Sequence, residues 1–400
     1  MSQLTKEIFG SLAEDTGDLR ISIYIPTERA GDQTQQNSIR FKNQLKQARQ
    51  YLAALGHSND QIDNLLEPAT QLQTNNNFWQ NQRSSLALFL SEDRFETFLL
   101  ADKVPAETVV SNRFHLKPLI PSASLQHLFY VLSLAEGGVN LFRGGRHGVE
   151  AINMAEGPQS LSEFLQWDDP ETELQWHTQT GRLDVQRKDG GSALRGSIFH
   201  GHGAGAETEV ETKNLLRFLK ALDQAVYDML AGDEQPPLVL LGSEELIGHY
   251  RKVNSYPNLI DEAVFHVPKG LDSDEIHQLA YQKVSSYFEA ERQQAYQRFH
   301  EIAEDKSIVD LKDTVNAAKE GRVELLFLRE QEQKWGSHHQ DRTIQILPDQ
   351  QPGAIDLLDL AATETLMNGG RVFIMNSDQM PGDEPVAAVL RYSINKEPAS

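Results

Sequence analysis

Two stretches of this 400-residue chain combine residue types that could do chemistry. The first is the run His200-Gly201-His202-Gly203-Ala204-Gly205, which closes a polar stretch from about 157 to 206. That stretch is too long for an ordinary connection, and loops of such length are functional or disordered. Seven glycines fall between Gly181 and Gly205, and Arg182, Arg187, Lys188 and Arg195 outnumber Asp184 and Asp189 there. The segment reads as a basic, glycine-rich finger whose backbone can pass close to a ligand. Histidine titrates near neutral pH, so His200 and His202 are candidates for proton transfer. On an extended strand the two would also share a face. A metal would need a third ligand such as His177 or Glu207, and the spacing does not supply one; no metal or other cofactor is expected. Glycine richness by itself equally describes a surface loop.

The second stretch is a basic stripe, Lys42, Lys46 and Arg49 with Arg40 beside it. It lies on a helical pattern from about Ser38, whose buried face would be Phe41, Leu45, Ala48 and Leu52 at spacings of 4, 3 and 4. Such a stripe is either a solvated helix face or a set of phosphate contacts for RNA. His338-His339 is a further pair, but adjacent residues on a strand face opposite ways. No nucleophile elbow, phosphate-binding loop or dinucleotide fingerprint is present.

Composition narrows the setting. Hydrophobic residues make up 39% and charged residues 24%, which excludes fibrous and disordered classes. With no cysteine, the chain has no disulfide, thiolate nucleophile or iron–sulfur cluster, and it leans toward a reducing compartment. The first twenty residues, with Glu7, Glu14, Asp15 and Asp18, do not read as a signal peptide, and no apolar run is long enough to span a membrane. A cytoplasmic location is expected. The net charge of −21 removes any chain-wide basic footprint. Residues 1–125 hold 12 basic and 14 acidic groups, whereas 126–268 hold 11 and 21, and 269–400 hold 14 and 23. A polyanion would therefore meet the first third most cheaply.

The elements that would position these residues follow from periodicity. Strands are expected at Arg20–Ile25, Leu86–Leu90 and Arg94–Leu99, the last two as a hairpin. A second hairpin runs Phe129–Leu134, Gly137-Gly138, Val139–Phe142. A helix from about Glu207 to Leu230 would bury Leu215, Leu219, Leu222, Val226 and Met229. Leu238–Leu241 reads as a fully buried strand, with Ser243 capping a short helix. A helix from Asp274 to about His300, strands Val323–Leu328, Arg371–Met375 and Ala387–Tyr392, and a helix Asp356–Met367 argue for an α/β/α layer.

This order of segments resembles the archaeal and eukaryotic class-1 release factors and their relative Pelota. The hairpin at 129–142, the glycine finger before a long helix, and Leu238-Val-Leu-Leu-Gly-Ser243 are similar to their central domain. Val315–Phe327, Gly369–Phe373 and Ala387–Tyr392 resemble their third domain, and Ile21–Pro26 and Leu86–Phe89 their first. Trp79, Phe114-His-Leu-Lys-Pro-Leu119 and Trp335-Gly336 look like the third subgroup of the bacterial archaeo-eukaryotic release factor family. The resemblance implies an α/β chain of three domains: an α/β domain at 1–125, an RNase-H-like domain with the finger at 126–268, and an L7Ae-like α/β/α domain at 269–400. It implies a translation factor in the ribosomal A site, acting in rescue, termination-like release or hibernation. Its partners would be ribosomal RNA, tRNA and a translational GTPase, with no membrane. RNA would be contacted by Arg40, Lys42, Lys46, Arg49, Arg182 and Arg195.

Two departures stand out. His200–Gly205 stands where the family carries Gly-Gly-Gln, which argues for occupancy without Gln-dependent hydrolysis. Asn37-Ser-Ile-Arg40 falls near the stop-codon motif Asn-Ile-Lys-Ser without reproducing it. The competing readings are a hydrolase acting on peptidyl-tRNA or RNA through His200 and His202, and an acidic module that binds a basic protein.

Overall fold

The computed structural model describes residues 6–28, 35–123, 127–135, 137–154, 157–168, 204–232, 235–339 and 341–393. It is a mixed α/β structure with several sheets. Two units pack separately: Met1–Leu128, Gly145–Gly148 and Ser285–Ser400 form the first, and Phe129–Gly144 with Val149–Val284 the second.

The first segment holds α1 (Lys6–Glu14), β1 (Thr16–Pro26), α2 (Gln35–Ala54), α3 (Asn59–Gln73), α4 (Asn76–Gln80), β2 (Ser85–Leu90), β3 (Phe95–Leu100), β4 (Glu107–Arg113) and the short α5 (Ile120–Ala123). Its sheet runs β3-β2-β1-β4, antiparallel throughout. Both faces are covered, which is why β2 reads as an unbroken apolar run. Ile21, Ile23, Ile25, Leu86, Leu88 and Leu90 form one face with α2 and α3, where all four residues expected on the buried stripe of α2 are found. Tyr24, Ala87 and Phe89 point the other way, into a core shared with the last segment. Trp79 stacks near Phe41, centroids 5.2 Å apart, and its indole N–H donates to the carbonyls of Leu72 and Gln73. That singled-out residue seats α2 on the sheet.

The middle segment holds β5 (Phe129–Ala135), β6 (Gly138–Gly145), β7 (Gly148–Ile152), α6 (Leu161–Asp168), α7 (Ala204–Leu230), β8 (Leu238–Gly242), α8 (Glu244–Val253), β9 (Val264–Phe265) and α9 (Ser273–Glu301). The sheet order is β7-β6-β5-β8-β9, with β5, β8 and β9 parallel and β6 antiparallel to β5. Phe129 lies over Gly144 so closely that an added Cβ there would sit 2.3 Å from the ring, so this position takes glycine. Leu219, Leu222 and Val226 of α7 are buried as expected, but Met229 is 39% exposed and Leu230 takes its place. The stripe advances by four at its end, as a 3.6-residue period requires. Asp223, on the same helix, is buried and accepts from Tyr250 Oη, Ser255 N and Ser255 Oγ.

The last segment adds β10 (Ser307–Ile308), α10 (Leu311–Lys319), β11 (Val323–Arg329), β12 (Trp335–His338), β13 (Ile344–Ile346), β14 (Ile355–Asp356), α11 (Leu357–Met367), β15 (Arg371–Met375) and β16 (Val386–Leu390). The sheet β10-β16-β11-β15 lies between two helical layers. Val315, Ala318 and Ala361 of α10 and α11 share a core with Leu326 and Val372, while Ala295 and Phe299 of α9 meet Leu325, Phe327 and Phe373 on the opposite face. The expected α/β/α layering is therefore present. The small sheet β13-β12-β14 had no counterpart in the sequence reading, its strands being too short for an alternating pattern.

If α2 is seated by this packing, Phe41→Ala will lower the unfolding free energy by about 3–5 kcal/mol. Ile39→Ala, at a position 58% exposed, will change it by less than about 0.5 kcal/mol. Urea denaturation of the two variants separates a packed face from an open one.

Candidate functional site

Helix α2 has 20 residues and not one Asp or Glu, in a chain carrying 58 of them. Its four cations are not equivalent. Arg40 is half-buried; its guanidinium donates to the Pro26 carbonyl at 3.0 Å and meets Glu28 at 3.5 Å. Arg49 is paired with Asp63 of α3 at 2.5 Å, both side chains largely in solvent; such a pair is worth about 0–1 kcal/mol and can exchange partners. Lys42 and Lys46 are exposed and make no ion pair among the described residues. With Ile39 they form one open face at spacings of 3 and 4.

The rotation of that face is set from behind. Thr108 of β4 donates its hydroxyl to Gln44 Oε1 at 2.8 Å, and Gln350 of the last segment donates to the Thr108 carbonyl at 2.7 Å. Tyr51 Oη reaches Gln350 Oε1 at 3.4 Å. Asn37 is fully buried and exchanges two hydrogen bonds with the backbone of Glu28. The run Asn37–Arg40 thus begins with a structural residue and ends with a half-buried one, an arrangement that holds the entry to α2 rather than offering a reading surface.

Of the other sequence candidates, His200, Gly201, His202, Gly203, Arg182 and Arg195 lie outside the described residues. Ala204 and Gly205 do not belong to a loop tip: they open α7, which begins about three residues earlier than expected. His338 and His339 turn to different partners, Asn316 Oδ1 at 3.2 Å and Ser337 Oγ at 3.0 Å. Among the described residues no three His, Asp or Glu side chains converge as a metal site.

The run Phe114–Leu119 contributes a buried polar cluster that composition gave no reason to expect. Asp359, three residues past the Asp356 cap of α11, accepts from the backbone N–H groups of Leu116, at 2.7 Å, and Lys117. His115 lies between Glu107, 3.5 Å from Nε2, and Asp359, 3.8 Å from Nδ1. Tyr24 donates to the His115 carbonyl at 2.6 Å, and Ser22 accepts its N–H. Lys117 Nζ faces Asp356 at 3.8 Å and donates to the Glu332 carbonyl. Burial opposes a charge on His115, but Asp359, Glu107 and Asp356 outweigh it and hold the imidazole up to about 9. Burial raises Asp356, partly offset by Lys117 and His115. His115 and Asp359 are only 2% and 1% exposed, while Glu107 reaches the surface in part, and the buried pair holds structure. The signal available in sequence was a His and a Lys inside an apolar run, facing an Asp-x-x-Asp at a helix start.

Residues 129–286 match the model of bacterial archaeo-eukaryotic release factor family 7. This segment is release-factor-like. The match is to family 7, where the sequence motifs suggested the third subgroup, and it spans about two-fifths of the chain. No curated protein matches the chain. Among solved structures, the archaeal translation termination factor aRF1 aligns at 13% identity over 98% of this chain and 99% of its own, with a TM-score of 0.24. Pelota of Archaeoglobus fulgidus aligns at 14% identity, 78% and 80% coverage and a TM-score of 0.27. Dom34 of S. cerevisiae aligns at 13%, 78% and 80%, and 0.35. With TM-scores below 0.5, these superpositions bear on neither arrangement nor function. No helix among the described residues is long and apolar enough to cross a membrane.

Two measurements probe the cluster. A folded His115 near 9, above the free value of 6.5, stabilises the fold fully below pH 6.5 and loses that contribution as pH rises through about 9; the total is about 3 kcal/mol. His115→Gln will remove this pH dependence between 6.5 and 9.5 in urea titrations. Asp359→Ala, which strands two N–H groups and a buried imidazolium, will cost about 3–5 kcal/mol at pH 7.

Proposed function

We propose that the protein is a ribosome-associated translation factor that enters the A site and contacts ribosomal RNA phosphates through the Lys42–Lys46 face of α2. One observation carries the reading: an acid-free helix with two unpaired lysines, held in fixed rotation, on a chain of net charge −21. On a chain of this net charge a local basic face is where RNA is met most cheaply. The family match of the middle segment supports the same assignment. On this reading the chain divides near 125 and 268 into an α/β domain, an RNase-H-like domain and an L7Ae-like domain. The mixed sheet β7-β6-β5-β8-β9 and the α/β/α layering of the last segment support the second and third of these.

The glycine-rich stretch, with Arg182 and Arg195, would lie toward the tRNA acceptor end. With no Gln in its tip, we favour occupancy without hydrolysis, in rescue or hibernation, with delivery by a translational GTPase in the cytoplasm. Hydrolysis of peptidyl-tRNA by His200 or His202 is the second reading, since both are capable of general acid–base chemistry.

Co-sedimentation with vacant and peptidyl-tRNA-loaded ribosomes, alongside a peptidyl-tRNA cleavage assay, tests the choice. Salt-sensitive binding without cleavage is the expected result. Cleavage lost in His202→Ala would establish the hydrolase instead, and no binding in either ribosomal state would overturn the proposal. Lys42→Ala/Lys46→Ala will reduce the slope of log K against log salt by roughly 1.4–1.8, two phosphates at about 0.7–0.9 each. Arg40→Ala will change that slope little, because its guanidinium is already committed to Pro26 and Glu28.

A further inference from the structure

Strands β6 and β7 are joined by two residues, Arg146 and His147, between Gly145 and Gly148. Two-residue turns between neighbouring strands favour Asn-Gly or Gly-x, because the geometries that match strand twist need positive φ. Arg342 is the one described non-glycine residue with positive φ, so neither Arg146 nor His147 adopts it. The turn therefore gives up the favoured local geometry and places an arginine and a histidine at its apex. Local rules are broken in this way where function requires it.

The surroundings are equally particular. Asp102, in the loop after β3, holds His147 through Nε2. Lys103, the next residue, is exposed, and Arg146 is exposed and makes no ion pair among the described residues. An added Cβ at Gly145 or Gly148 would meet nothing within 4 Å, so the turn is not crowded on that side. His127 lies against Phe288 of α9, ring centroids 5.2 Å apart. Burial, and then the positive charge of Arg146, hold His127 down to about 4, with Arg292 and His147 acting in the same direction and Asp102 against it. The charge of Arg146 thus reaches His127, and Asp102, the acid that opposes it there, is held by His147.

We propose that the Arg146-His147 turn is a phosphate grip for RNA, with Arg146 and Lys103 as phosphate ligands and Asp102 as the positioning residue that, by holding His147, anchors the turn. The chemistry is that of a phosphate oxygen accepting from guanidinium and ammonium N–H groups. RNA as the source of the phosphate rests on the function proposed above; the grip itself rests on the turn. It is a second contact, separate in sequence from α2.

The test is fluorescence anisotropy with a labelled 20-nucleotide single-stranded RNA, titrated at several salt concentrations. Full-length protein and Arg146→Ala are compared, each also in the Lys42→Ala/Lys46→Ala background. Arg146 is exposed, so an unchanged melting temperature serves as the folding control. The expected result is a slope lower by roughly 0.7 in both backgrounds, with Lys103→Ala adding a similar loss. An unchanged slope on replacing Arg146 in both backgrounds overturns the grip. If inorganic pyrophosphate at matched ionic strength binds in an Arg146-dependent way and RNA does not, RNA as the ligand is overturned. Ribosome co-sedimentation is read separately: its failure with intact Arg146-dependent RNA binding would count against the A-site reading and leave the grip standing.

Discussion

One carboxylate organises the first unit. Asp359 sits at the start of α11 and takes the N–H groups of two consecutive residues, Leu116 and Lys117, from the other end of the chain. A buried carboxylate is costly unless paired and hydrogen-bonded, and here two backbone donors and the His115 imidazolium meet that need together. The arrangement fixes where the chain leaves β4, and β4 in turn carries Thr108, whose hydroxyl sets the rotation of α2. Lys42 and Lys46 thus face outward from a helix held by its apolar stripe and by the Thr108–Gln44 bond to β4. The same cluster is a poor candidate for chemistry because His115 and Asp359 at its centre do not reach solvent. Its histidine is perturbed by enclosure among acids, which is also what perturbs catalytic groups, and exposure is what tells the two apart.

Charge is distributed to similar effect on α2. Pairing removes Arg40 and weakens Arg49 as RNA ligands, leaving two lysines whose neighbours on the helix are Ile39 and amide side chains. A cation on a flexible stem, with no acid within the helix to compete, is well placed to meet a phosphate whose position varies. Arg40, by contrast, is used as a brace for the β1 exit. A stripe of four basic residues thus separates into ligands and supports, a division that only the surrounding backbone reveals.

Periodicity made most of the long elements legible. Phe41, Leu45, Ala48 and Leu52 declared the buried face of α2, and the apolar run 86–90 declared a strand covered on both sides. The α/β/α layering of the last segment was visible in its alternation of strands and helices. Illegible were the contacts made across large sequence separations. Asp359 with Leu116, or Gln350 with Thr108, arise from topology and leave no local pattern. The short strands β12, β13 and β14 fell below the length at which alternation can be recognised. At Met229 the drift of the helical period displaced the buried position by one residue. Glycine richness drew attention to 200–205 and implied a loop there, yet Ala204 and Gly205 begin a helix. The turn at 146–147 carried no signal in the sequence, and only its backbone angles and neighbours set it apart.

The Asp359 contacts also have a consequence for how the protein is made. Leu116 and Asp359 are 243 residues apart, so the first sheet, complete in sequence by residue 113, must wait for nearly the whole chain before its second face is covered. Tyr24, Ala87 and Phe89, which point into that shared core, stay without their final partners while the middle segment emerges and packs on its own strands. Closing a loop of this size adds little entropy beyond a shorter one, but it delays the event, and contacts of long separation are slow to form. The nascent first segment is consequently a half-covered sheet for most of its synthesis, the state in which chains are most exposed to misassembly and to chaperones.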